Sequence, residues 1–230
     1  MKTIGLIGGM SWESTIPYYR IINEEVKNRL GGLHSAKIIL YSVEFDEIEK
    51  CQSHNEWEKS GEILGKAAQG IEAAGADFLL ICTNTMHKVL PQIASMVRIP
   101  ILHIADAAAE ELAKHDIRRV GLLGTKYTMT QDFYKKRLTD RGIDVLIPDE
   151  NDIETVNSVI FNELCLGEIR EGSRVRFQGI ISRLRKSGAE GIILGCTEIG
   201  LLISQADVDI PVFDTTVIHA KKAAETALAD

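Results

Sequence analysis

Gly75-Ala-Asp-Phe-Leu-Leu-Ile-Cys-Thr-Asn-Thr85 and Gly188-Ala-Glu-Gly-Ile-Ile-Leu-Gly-Cys-Thr-Glu198 align without a gap. Each opens on Gly-Ala and an acid, runs through an apolar stretch of strand length, and closes on a small polar cluster holding a cysteine. A continuous apolar run marks a strand covered on both faces, as in a parallel sheet, and the carboxyl ends of such strands are where these sheets present chemistry. Written twice in one chain, the pattern predicts two sheet edges of the same kind.

Around this pair, apolar β-branched runs alternate with longer amphipathic stretches, the pattern of βα units. Strands are predicted near 3–8, 36–43, 77–82, 100–104, 118–124, 143–147, 190–195 and 211–213, and helical spacing covers 56–74, 130–141 and 172–187. Gly75 and Gly188 stand where a helix stops before a strand. The echo extends further. Ile4-Gly-Leu-Ile-Gly-Gly9 is matched by Val120-Gly-Leu-Leu-Gly-Thr125, and Ile99-Pro-Ile-Leu102 by Ile210-Pro-Val-Phe213. Three motifs in one order, with 75 residues from Gly8 to Thr83 and 72 from Gly124 to Cys196, indicate duplication of a four-stranded α/β unit. No Pro/Gly/Ser-rich linker separates the halves, so they are expected to be closely apposed.

The 230 residues are 45% hydrophobic and 26% charged, ordinary values for a soluble globular protein able to bury a sizeable core. A formal net charge of −7 without any Lys/Arg block argues against a nucleic-acid surface. No apolar run reaches the roughly 20 residues needed to cross a bilayer, so no membrane partner is expected. The amino terminus reads as a first strand and turn rather than a signal peptide. Cys51, Cys82, Cys165 and Cys196 form no Cys-x-x-Cys pair and no zinc-like cluster with histidine, which suits a reducing cytoplasm.

At the end of a parallel strand, backbone N–H groups are left over and a following helix places its positive end there, so Thr83-Asn84-Thr85 and Cys196-Thr197-Glu198 read as cradles for a carboxylate or phosphate. A cysteine in such a place is expected to favour its thiolate, making Cys196 a nucleophile or base; a small buried apolar residue is the plainer alternative. Gly8-Gly9-Met10-Ser11 lacks both Gly-x-Gly-x-x-Gly and Gly-Lys-Ser/Thr, which excludes dinucleotide and P-loop readings and leaves a tight turn or close backbone approach to a small ligand. His87 lies four residues past Thr83, either as an acid–base or orienting partner or as a cap or surface residue; metal ligation is not expected.

Ile-Gly-Leu-Ile-Gly-Gly-Met at 4–10, Cys-Thr-Asn-Thr-Met-His at 82–87 and Gly-Cys-Thr-Glu at 195–198 resemble the aspartate/glutamate racemase family. Gly-Gly-Met-Ser-Trp-Glu-Ser-Thr at 8–15 and Ile-Phe-Asn-Glu-Leu-Cys-Leu-Gly at 160–167 look particularly like its broad-specificity amino-acid racemase branch. The resemblance implies two α/β domains related by a pseudo-twofold, each a mainly parallel four-stranded sheet flanked by helices, with the active site in the cleft between them. It implies a first domain of residues 1–98 plus 208–230 and a second of 99–207. It further implies a homodimer and a cofactor-independent, metal-free two-base mechanism acting on a small amino acid, with the carboxyl-terminal cysteine taking the proton of the L-enantiomer. Asn84, Thr85 and Thr197 become candidates for the α-carboxylate, with Met10, Ser11, Gln52 and Glu198 completing the substrate-binding set.

One departure matters for the chemistry. Members of the family commonly read Cys-Asn-Thr where this chain reads Thr83-Asn84-Thr85. The internal repeat agrees, since Thr83 aligns with Cys196 while Cys82 aligns with Gly195, and successive strand residues face opposite ways. Only a local bulge would bring Cys82 forward. Because a threonine hydroxyl is a very weak acid and base beside a thiol, Cys196 is the expected main acid/base and Thr83 stands in the place of the second cysteine. The stretch Ser42-Val-Glu-Phe-Asp-Glu-Ile-Glu-Lys-Cys-Gln52 is strongly acidic where acidic-substrate members can carry an arginine, so aspartate capture would need Lys50 or a more distant cation. A single-cysteine decarboxylase of the same superfamily, a non-catalytic small-acid binding protein and a Cys82/Cys196 redox sensor remain as alternatives.

Overall fold

A computed structural model describes residues 1–229. Its elements run β1 (Ile4–Gly8), α1 (Trp12–Leu30), β2 (Ile38–Ser42), α2 (Phe45–Ser53), α3 (Trp57–Ala73), β3 (Phe78–Ile81), α4 (Leu90–Ser95), β4 (Ile101–Leu102) and α5 (Ile104–Lys114). They continue β5 (Arg119–Gly124), α6 (Lys126–Thr130), α7 (Asp132–Thr139), β6 (Asp144–Leu146), α8 (Glu150–Asn162), α9 (Glu171–Lys186), β7 (Gly191–Gly195), α10 (Ile199–Leu202), β8 (Val212–Asp214) and α11 (Thr215–Leu228). All eight predicted strands are present, in two four-stranded sheets ordered β2-β1-β3-β4 and β6-β5-β7-β8. Every pairing is parallel. The same order twice is what a duplicated unit produces.

The chain divides into a first unit, Met1–Ile104 together with the stretch from His219 onward, and a second, Ala105–Ile218. These divisions lie later than the expected 98/99 and 207/208. The reason is strand pairing: Leu79 pairs with Ile101, which keeps β4 in the first sheet, and Ile192 pairs with Val212, which keeps β8 in the second.

In the first unit the pleat of β3 sorts its residues. Phe78, Leu80 and Cys82 join Ile4 and Leu6 of β1 against Tyr18, Ile22 and Val26 of α1 and four alanines of α11. Leu79 and Ile81 join Ile7 on the opposite side, against Leu64, Ala67, Ala68 and Ile71 of α3. Helices therefore cover both faces, which is why the run carries no polar residue. In the second unit, Leu123, Ile192 and Leu194 pack with Val156, Val159 and Ile160 of α8 and Phe177, Ile180, Ile181 and Leu184 of α9.

The predicted helix at 130–141 is interrupted. Gln131 takes an extended conformation (φ −92°, ψ 159°) and splits the segment into the end of α6 and the whole of α7. Gly75 and Gly188, with φ of +95° and +99°, end their helices in the left-handed region that glycine enters without a Cβ clash.

Candidate active site

In the first unit β1 and β3 leave the sheet side by side, Ile7 beside Ile81. After β1 the chain turns at Gly9, whose φ of +90° and contact with the Val43 backbone leave no place for a side chain. Gly9 N–H donates to Thr15 Oγ1 (2.9 Å), and Thr15 Oγ1 donates to the Ser11 carbonyl (2.7 Å). Ser11 caps α1, its Oγ accepting the Ser14 N–H at 3.4 Å. The Met10 side chain is packed in the core beside Met86 and Ile48. Buried Gln52, on α2, donates from Nε2 to Met86 Sδ at 3.1 Å.

Cys82 N–H continues the strand ladder to the Ile7 carbonyl at 2.9 Å, and its side chain lies in the α1/α11 core without a bulge. Burial pushes that thiol far above its ordinary range. Thr83 is half-buried, and buried Asn84 and Thr85 lead into a short 3₁₀ turn, Thr85–Val89. His87, also buried, donates from Nδ1 to the Thr83 carbonyl (2.8 Å) and accepts the Ile104 N–H on Nε2 (3.2 Å). The three oxygen- or amide-bearing residues 83–85 and His87 thus share one turn; sequence spacing alone left the role of His87 open.

The second unit is built in parallel. Gly124 lies beside Gly195, so Thr125 and Cys196 leave β5 and β7 together. Thr125 caps α6, accepting the Thr128 N–H at 3.3 Å. Cys196 is 7% exposed, and its Sγ–H donates to Glu198 Oε2 at 2.9 Å. Thr197 Oγ1 donates to the same oxygen at 2.9 Å. One buried carboxylate oxygen therefore gathers both neighbours. Thr215, at the start of α11, donates from Oγ1 to the Leu194 carbonyl at 2.7 Å, tying β8 to β7 just before the cysteine.

This geometry corrects the expected state of Cys196. The helix after it, α10, has four residues, too short for a macrodipole of useful size. Burial and then the Glu198 charge push the Cys196 thiol well above its ordinary value. At rest it is a neutral thiol held by a carboxylate, and it becomes a base only if Glu198 takes its proton. Sequence spacing places Glu198 two residues on but does not show that its carboxylate folds back. Thr125, the repeat's counterpart of Gly9, is visible in the alignment of 4–9 with 120–125, but that alignment does not show that it caps α6.

The cations near these edges are already engaged. Lys50 pairs with Asp46 one turn earlier on an exposed face of α2. Lys88 lies 3.6 Å over the ring of Trp57, with burial lowering its pKa. The cysteines are free thiols. Among the described residues no group of His, Cys, Asp and Glu could hold a metal ion, and no helix is long and apolar enough to cross a membrane.

The Asp/Glu/hydantoin racemase family model matches residues 7–223. Broad specificity amino-acid racemase RacX of Bacillus subtilis is 24% identical over 98% of this chain and 98% of its own. The crystal structure of a candidate Asp/Glu racemase from Yersinia pestis superposes with a TM-score of 0.92 at 55% identity, over 100% of both chains. That of an aspartate racemase homologue from Pyrococcus horikoshii OT3 gives 0.86 at 40% identity, again over 100% of both. Two like-ordered parallel sheets, a polar cluster at each carboxyl edge and matches of this extent make the chain a member of the Asp/Glu/hydantoin racemase family, whose enzymes are isomerases.

Proposed function

We propose that the protein is a cofactor-independent racemase of polar amino acids, with aspartate and glutamate the first candidates, in which Cys196 and Glu198 act as one acid–base unit and Thr83 takes the place of the second cysteine. The observation that carries this reading is the buried Cys196 thiol donating to Glu198 at the end of β7.

In the forward step Glu198 receives the Sγ proton, the thiolate so formed takes the α-proton, and the Cα–H electron pair passes to the α-carbon. The carbanion has no pyridine ring to spread into, so it depends on donors already aimed at the α-carboxylate. From the family likeness we assign that part to Asn84, Thr85 and Thr197, and further substrate contacts to Met10, Ser11 and Gln52. Reprotonation on the Cys196 side returns the starting enantiomer. Reprotonation of the opposite face inverts it: a water gives its proton to the carbanion, and the hydroxide left is neutralised by the proton that Glu198 releases to solvent. The second route lacks a thiol, so inversion is slower than exchange. We take the L-enantiomer as the one that meets Cys196, and a homodimer in the cytoplasm as the working state.

A neutral thiol beside a carboxylate also suits protonation of a carbanion left by carbon dioxide loss, and this supports a decarboxylase as second reading. One experiment separates the possibilities: α-proton exchange in deuterated water over the twenty amino acids, for wild type and Cys196→Ser, with carbon dioxide release from malonate-type acids followed in parallel. Exchange confined to a few polar amino acids and lost in Cys196→Ser is expected. Carbon dioxide release without exchange would favour the decarboxylase, and ligand binding with neither would leave a binding protein.

A further inference from the structure

We propose that His87 is a positioning residue that fixes the Thr83–Asn84 peptide of the active site, holding the Thr83 carbonyl on one ring nitrogen and the Ile104 amide on the other. This rests on the racemase reading, and it assigns His87 no proton transfer to substrate.

The tautomer follows from the partners. A carbonyl only accepts and a backbone amide only donates. Nδ1, 2.8 Å from Thr83 O, must therefore carry the proton, and Nε2, 3.2 Å from Ile104 N, must present its lone pair. Both sites of the neutral ring are spent on backbone at 2% exposure, so the acid–base role open from sequence has no nitrogen left to perform it. The Nδ1–H form is the less common tautomer of free imidazole side chains, so its selection here is a product of the fold.

The surroundings hold the ring in place. His103 packs against it at 4.4 Å between centroids with the rings tilted by 51°, and His219 lies 6.1 Å away. His219 is itself fixed, Nε2 donating to the Leu102 carbonyl at 2.9 Å and Nδ1 accepting from Tyr18 at 2.9 Å. The exit of β4 is thus pinned twice, at Leu102 by one imidazole and at Ile104 by another. His87 links that pinned segment to the exit of β3.

What is gained is the orientation of one peptide plane. Thr83 C=O and Asn84 N–H belong to the same planar trans unit and point in opposite directions, so a bond on the carbonyl aims the amide. Donation to the carbonyl also polarises the unit and strengthens its N–H as a donor. Asn84 N–H is one of the backbone groups expected to meet the substrate carboxylate. Losing one such aimed donor is worth up to about tenfold in affinity.

Two variants divide the ring's two bonds. In His87→Asn the side-chain amide sits near the Nδ1 position and can donate to Thr83 O. In His87→Gln it reaches the Nε2 position and can accept from Ile104 but leaves the carbonyl bare. Using L-aspartate, or whichever amino acid the exchange scan selects, His87→Gln should raise KM about tenfold with kcat for exchange kept within about threefold, and His87→Asn should recover most of the KM. Nitrogen-15 spectra of the wild-type histidines supply a readout independent of turnover and of any variant's folding, and should show His87 protonated on Nδ1. An Nε2–H tautomer would overturn the proposal. So would KM and kcat moving together in both variants, or Gln behaving like wild type. Absence of exchange from the wild type with every amino acid would instead count against the racemase reading, with the tautomer still deciding the assignment of His87.

Discussion

A thiol that donates to a carboxylate 2.9 Å away is an acid at rest and a base only after handing its proton over. For Cys196 the balance between those states is set by burial and by the Glu198 charge, both of which favour the neutral thiol. Removing the charge in Glu198→Gln should lower the pH at which Cys196 titrates, because one cause of the upward shift is gone. It should also slow α-proton exchange by at least about tenfold, because the proton has lost its acceptor. Alkylation of each cysteine across pH, resolved by mass spectrometry so that half-buried Cys165 is not confused with it, measures the first effect. An unchanged midpoint would mean that the carboxylate does not govern the thiol. The placement of Cys82 was legible from the ungapped repeat, which sets Thr83 level with Cys196 and turns Cys82 to the other face, where its side chain packs among Ile4, Leu6 and Leu80. The ionisation of Cys196 was not legible. It depends on a side-chain rotamer two residues away and on the shortness of the following helix, neither of which spacing encodes.

Helices and strands differ in how much of themselves they announce. β3 and β7 were plain because a run apolar on both faces, stopped by a left-handed glycine at its start, admits few other structures. The break at Gln131 and the shortness of β4 were not: Gln131 turns extended inside a segment of helical spacing, and only Ile101 and Leu102 of the expected 100–104 pair with β3. α11 shows the same limit. Its alanines can be read as a packing face, but the role of His219 emerges only where Tyr18 and Leu102 meet it. Burial lowers the pKa of His219 from 6.5 to about 3, opposed by its bond to the Leu102 carbonyl. Between these values the unfolded chain binds a proton that the folded chain refuses, so stability falls as pH drops from 6.5 towards 3. The slope from this one group approaches about 1.4 kcal/mol per pH unit. Urea midpoints of wild type and His219→Gln between pH 7 and 4 should diverge, the wild type losing stability more steeply. Parallel curves would mean that water reaches the imidazole.

Across the chain as a whole, duplication explains the matching sheet orders, and divergence explains the chemistry. Both units end their central strands in small polar residues, yet one carries a thiol with a carboxylate partner and the other a threonine whose peptide is held by a histidine. The repeat made the fold class and the location of both edges readable, because glycines, apolar runs and Ile-Pro pairs recur in order. Substrate choice was not readable, and Lys50, the cation nearest to hand in sequence, is paired with Asp46. If the chemistry is as unequal as the residues, the two enantiomers of one substrate must behave unequally. The direct measurement is α-proton exchange in deuterated water from the L- and D-forms of the same amino acid, in wild type and in Cys196→Ser. Faster exchange from the L-form, lost in Cys196→Ser, is the predicted result; equal exchange from both forms that survives Cys196→Ser would contradict the account.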